Sequence, residues 1–121
     1  MNKITYEERA KVYTDALSTF GANMQLIVAL EELSELQKEI CKALRGQRNT
    51  MHLAEEVADA TIMLEQVRQI FNINESVCNI MDSKIERLAC RVEVAKHNKD
   101  AVLRPIFESP ERYAKLLEDN Q

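Results

Sequence analysis

Two glycines and two prolines in 121 residues leave too few punctuators for an all-β sandwich, which turns about every 8–12 residues. No apolar stretch approaches the roughly 20 residues of a membrane span. The opening Met-Asn-Lys-Ile-Thr-Tyr-Glu-Glu-Arg is polar and has no signal-peptide core. Three cysteines, Cys41, Cys78 and Cys90, cannot all pair, and none forms a Cys-x-x-Cys. Reduced thiols acting as small core hydrophobes in a cytosolic protein are therefore expected. Basic charge is also short: 16 Lys+Arg against 20 Asp+Glu give a net charge of −4, without the footprint that broad nucleic-acid binding needs. Neither a nucleic-acid nor a membrane partner is expected. Several motifs are missing as well. There is no Gly-rich phosphate loop, no dinucleotide fingerprint and no Gly-x-Ser-x-Gly elbow. No Glu-x-x-His exists, which excludes the di-iron carboxylate bundle.

What is present is helical. The frequent residues are good helix formers, and 45% hydrophobic with 30% charged residues is a globular composition. At this length one domain is expected. Thr5 and Glu8 form a capping box for a helix running to about Phe20 and ending at Gly21. Asn23 is a plausible N-cap for a long second helix ending at Gly46. Asn49 or Thr50 caps a third, running to about Phe71. Asn74 starts a fourth, running to about Lys96. Ser109-Pro110 predicts a short fifth helix over Pro110–Leu117. Short connections predict an all-α, antiparallel, four-helix-bundle-like domain over 1–97. Residues 98–121 would be an extension carrying the short helix.

The positions of the carboxylates are informative. Helix two has its apolar centre along Ala29, Leu33, Leu36, Ile40 and Ala43, with Glu32 about 90° away on the wheel and Glu35 one step further out. Glu39 lies near Glu32, one helical repeat later. Helix three has its apolar face along Leu53, Val57, Ala60, Leu64, Val67 and Phe71, and Glu56 falls only about 55° from that centre. Asp59 follows at i+3, on the same side. A carboxylate so close to a core stripe costs free energy unless it is paired or bound to a metal. Two helices joined by a tight loop pack antiparallel, so Glu32/Glu35 and Glu56/Asp59 can face one groove. Four carboxylates there would repel one another, and a hard divalent cation removes the repulsion. The expectation is an all-oxygen Mg²⁺ site, with Mn²⁺ able to substitute, suited to a phosphate-bearing ligand.

Helix four offers the opposite charge. Lys84, Arg87 and Arg91 share a face beside an apolar stripe of Val77, Met81, Ile85, Leu88 and Val92. They are candidates for holding phosphate oxygens; Arg45 and Arg48 are weaker ones. Alone, each acidic pair or basic triplet reads as a solvated face. His52 and His97 have no metal-ligand spacing and read as surface residues. The five Met residues read as core filler.

The runs Ala29–Leu36 and Leu53–Ala60 together carry Glu-x-x-Glu, a spacer, then Glu-x-x-Asp. They resemble the signature of the MazG-like all-α nucleoside triphosphate pyrophosphohydrolases, mapping onto Glu32, Glu35, Glu56 and Asp59. Phe20-Gly21-Ala22-Asn23-Met24-Gln25 is similar to the run leading into this helix in the short, phage-type members. Lys84-Ile85-Glu86-Arg87 is similar to the family's Lys-x-x-Arg region. The resemblance spans roughly Tyr13 to Val92. It departs at Asp82, where many relatives carry Asn. Thr61-Ile62-Met63-Leu64 stands where the phosphoribosyl-ATP branch has a Tyr-His pair.

The resemblance implies hydrolysis of a (deoxy)nucleoside triphosphate to the monophosphate and pyrophosphate. One or two Mg²⁺ would sit on the four carboxylates. Glu35 and Glu56 are the catalytic candidates, Glu35 orienting the attacking water or accepting its proton. Gln25, Lys84, Arg87 and Arg91 are the substrate-binding candidates, Gln25 reading the base edge. It also implies a homodimer or homotetramer. Two alternatives stand beside it: a non-enzymatic helical interaction module, and a nucleotide-binding protein without turnover.

Overall fold

The computed structural model describes residues 2–98. They form four α-helices and, among the described residues, no strand: α1 (Tyr6–Phe20), α2 (Ala22–Leu44), α3 (Thr50–Ile70) and α4 (Asn74–His97). None is long and apolar enough to cross a membrane. The all-α expectation holds. The expected helix over Pro110–Leu117 lies outside the described residues. The chain divides into two compact units; the first, Met1–Glu75, carries α1 to α3, and the second begins at Ser76 within α4.

Local chemistry sets the helix ends. Thr5 Oγ1 accepts from the Glu8 N–H at 3.2 Å, and Glu8 Oε2 accepts from the Thr5 N–H at 2.8 Å. This is the full capping box, satisfying two backbone donors reciprocally. Asn49 caps α3 by accepting from the His52 N–H at 3.1 Å. The expected cap at Asn23 is corrected: Gly21, at φ 85°, closes α1 and is itself the N-cap of α2. Its N–H donates to the Leu17 carbonyl at 3.0 Å. A positive φ costs glycine little, so one residue reverses the chain.

α2 and α3 make the antiparallel hairpin that the short loop predicts. Its seam differs from the two single-helix wheels. On α2 the buried residues are Gln25, Ala29 and Glu39, with Glu32, Leu36 and Ala43 half-buried between them. On α3 they are Glu56, Ala60, Met63 and Gln66. The steps are three and four residues, the pattern of two helices in register. The most buried positions are alanines, Ala29 at 4% and Ala60 at 2% exposed. Leu33, Ile40, Val57, Leu64 and Phe71, expected in the core, are exposed instead. The wheels averaged apolar character over one helix, whereas the seam lies where both helices meet.

Antiparallel right-handed helices give a hairpin two distinct faces. Leu33 and Ile40 on α2 fall on the same face as Val57, Leu64 and Phe71 on α3. Glu35, Asp59 and His52 fall on the other.

α1 packs on α3 through polar side chains. Tyr13 Oη donates to Glu65 Oε2, Arg9 Nη1 stands 3.1 Å from Glu65 Oε1, and Gln69 Nε2 donates to Thr14 Oγ1 at 2.7 Å. Burial and the Glu65 hydrogen bond push the Tyr13 hydroxyl up to about 12. The cysteines also differ from expectation. Cys41, Cys78 and Cys90 are outside any disulfide, but all three are exposed rather than core.

Candidate metal centre

The seam brings three of the four expected carboxylates together. Glu32, Glu35 and Glu56 each offer an oxygen, and these atoms all lie within 4.8 Å of one another. Glu56 is buried, Glu32 half-buried and Glu35 exposed. Asp59 is exposed and outside this tight set, yet its charge is the strongest carboxylate influence on Glu32.

Two oxygens in this groove lack any partner. Glu32 Oε2 and Glu56 Oε2 are buried and accept no hydrogen bond. Buried acceptors are nearly always satisfied, so these two exceptions call for a water, a ligand or a proton. The acidities agree. Burial, then Asp59, Glu35 and Glu56, holds the Glu32 carboxyl above its ordinary value. Glu56 is raised first by burial and then by the Glu35 charge, with His52 partly opposing. Both shifts disfavour the charged forms of Glu32 and Glu56, and positive charge in the groove would oppose them.

The donor set suits a hard cation. All donors are carboxylate oxygens, and one is exposed, leaving room for water or phosphate. Oxygens about 2.1 Å from one Mg²⁺ stand about 3.0 Å apart when adjacent and about 4.2 Å when opposite. The upper limit of 4.8 Å on the separations in the cluster is close to that span.

Beside the cluster lies a contact that helix periodicity alone did not reveal. His52 Nδ1 stands 3.2 Å from Glu39 Oε2, and His52 Nε2 stands 3.5 Å from Glu56 Oε1. Lys42 Nζ donates to Glu39 Oε1 at 2.8 Å. Hydrogen bonds from Lys42 and His52 hold the Glu39 carboxyl below its usual value despite burial. The Glu39 hydrogen bond and charge raise the His52 imidazole. His52 is exposed, as expected of a surface residue, and it also bridges two acidic side chains. The available signals were the i, i+4 spacing of His52 and Glu56 and the return of Glu39 to the Glu32 face. Nearby, a cavity of about 240 Å³ is lined by Glu39, Ala43, Gln47, Arg48, Asn49, Thr50 and Leu53.

Of the substrate-binding candidates, Gln25 is buried in the hairpin seam, on the face that carries Glu32 two turns later. Lys84, Arg87 and Arg91 are exposed and share a face of α4, in the second unit. Their helix also carries the expected stripe, in which Met81, Ile85, Leu88 and Val92 are all exposed. No family model, no curated protein and no solved structure matches the chain.

Proposed function

We propose that the chain is a Mg²⁺-dependent nucleoside triphosphate pyrophosphohydrolase of the MazG-like all-α type. The observation that carries the reading is the convergence of Glu32, Glu35 and Glu56, with two buried carboxylate oxygens left without partners. The order Glu-x-x-Glu then Glu-x-x-Asp supports it independently, because each carboxylate of the cluster belongs to that motif.

In this reading Glu32, Glu56 and Asp59 hold the cation, and Glu35 is shared between the cation and the reacting water. Mg²⁺ bound there would polarise the phosphoryl oxygens and acidify a water. Glu35, the most exposed of the three clustered carboxylates, orients that water or accepts its proton. Lys84, Arg87 and Arg91, on the helix face of the second unit, are the residues whose charge suits phosphates and a leaving pyrophosphate. Gln25 is the candidate for reading the base edge. The α–β anhydride bond breaks, leaving a nucleoside monophosphate.

The working form is a homodimer or homotetramer. The exposed line Leu33, Ile40, Val57, Leu64 and Phe71 supports this, since so continuous an apolar face on one side of a hairpin fits an interface. Mn²⁺ substitutes for Mg²⁺, as its ligand preferences overlap.

The test is pyrophosphate release from a panel of ribo- and deoxyribonucleoside triphosphates, with Mg²⁺ and with EDTA. Release from at least one nucleotide that EDTA abolishes is expected. Mg²⁺-dependent nucleotide binding without release would instead identify a binding protein without turnover. Neither binding nor release would favour a helical interaction module.

A further inference from the structure

Glu56 is held by one oxygen only. Its Oε1 stands 3.5 Å from His52 Nε2, while its Oε2 is buried without a partner. His52 is fixed from its other side, with Nδ1 3.2 Å from Glu39 Oε2. Glu39 is itself 6% exposed, and its second oxygen takes Lys42 Nζ at 2.8 Å. The four side chains form a row, Lys42, Glu39, His52 and Glu56, crossing from α2 to α3, with polar atoms 2.8, 3.2 and 3.5 Å apart at its three links. Each link uses helical neighbours, i and i+3 on α2 and i and i+4 on α3, plus one contact between the helices. Asn49 seats the first turn of α3 and fixes the backbone of His52.

We infer that Glu39 and His52 are positioning residues for the metal centre: they tether Glu56 Oε1 and so present Oε2 to the cation. The inference rests on the metal reading proposed above. Ligating carboxylates and their outer partners act together, and loss of such a partner weakens metal binding about 10–100-fold. Without His52 the Glu56 side chain is free to rotate, and part of the binding free energy goes to ordering it. A side-chain amide at position 52 still donates to Glu56 and restores part of the effect. Glu39→Gln keeps the volume of the row but removes the charge that anchors the imidazole.

The experiment is Mn²⁺ titration of the full chain at one fixed pH, reading free Mn²⁺ by electron paramagnetic resonance. Wild type is compared with His52→Ala, His52→Gln, Glu39→Gln and Glu56→Gln, each checked for helix content by circular dichroism. Expected is a 10–100-fold weaker affinity for His52→Ala and Glu39→Gln, partial recovery in His52→Gln, and the greatest loss in Glu56→Gln. A brace that served only the hairpin would lower Tm and leave the affinity of the folded protein unchanged. Wild-type affinity in the folded Glu39 and His52 variants, with loss in Glu56→Gln, overturns this inference and leaves the metal reading standing. Absence of Mn²⁺ binding in wild type overturns both. Should His52→Ala fail to fold, the same comparison is decided by His52→Gln and the near-isosteric Glu39→Gln.

Discussion

Glu56→Gln is expected to lower metal-dependent pyrophosphate release by about 100–1,000-fold and, at neutral pH, to raise the Tm of the metal-free protein. The first effect follows from removing a charged ligand: metal stabilisation of a phosphoryl transition state is worth several kcal/mol, and about 1.4 kcal/mol is tenfold in rate. The second follows from the acidity of the cluster. Burial and the Glu35 charge raise the folded-state pKa of Glu56 above its unfolded value. Between those two values the folded chain binds more protons than the unfolded one, so stability falls as pH rises. Above the raised pKa the penalty is constant. Glutamine has no such penalty, so the gap between variant and wild type is small in the acidic carboxylate range and widest at neutral pH. Saturating Mg²⁺ reverses the order: wild type gains several degrees by mass action and the variant gains little. Calorimetry at pH 4.5 and pH 7.5, with EDTA and with Mg²⁺, reads four values for each protein. An unchanged or lowered metal-free Tm for Glu56→Gln at pH 7.5 would contradict the electrostatics of the cluster. A rate within threefold of wild type would contradict its role in turnover.

Leu64→Asp is the second large effect. Leu64 is 46% exposed on the apolar face of the hairpin. In a twofold interface each lost contact counts twice. Partial burial of one leucine contributes about 1 kcal/mol per copy, and burying a carboxylate there costs more. The dissociation constant of the oligomer is expected to rise at least about 100-fold, with a lower and concentration-dependent Tm. Leu64 does not belong to the carboxylate cluster, so Mn²⁺ affinity measured where the variant remains assembled stays near wild type. Sedimentation over a concentration series checks this. A wild-type protein that is monomeric at all concentrations would remove the interface from the proposal and leave the metal centre untouched.

Much of the helix layout was legible because its signals are local. Thr5 with Glu8, Asn49 and Asn74 are side chains whose short-range hydrogen bonding or turn chemistry marks helix ends. The start of α2 differs from expectation because Asn23 is the better cap by residue type, whereas Gly21 at φ 85° already reverses the chain. The convergence of Glu32, Glu35 and Glu56 was legible in outline, since an i, i+3 pair on each of two helices joined by a short loop has few places to go. The seam was legible only in part. Ala29 and Ala60 lie on the expected apolar lines and are buried, but Leu33, Ile40, Val57 and Leu64 of the same lines are exposed, and Gln25, Glu39 and Glu56 share the buried positions. Polar residues at seam positions break the rule that patterning relies on, as functional sites are expected to do. The pairing of Glu39 with His52 joins residues on different helices, and no periodicity within one helix encodes it. Cys41, Cys78 and Cys90 differ from expectation for a related reason: the average burial of a residue type says nothing about a particular helix face.

The central claim, that this hairpin holds a divalent cation on its own carboxylates, is tested most directly by anomalous diffraction from crystals soaked in Mn²⁺. The claim predicts a peak within about 2.2 Å of oxygens from Glu32, Glu35 and Glu56, with Asp59 at the same ion or at a second one beside it, and no peak in Glu56→Gln crystals. A groove without a peak at saturating Mn²⁺, its carboxylates closed onto lysine or arginine side chains instead, would contradict it.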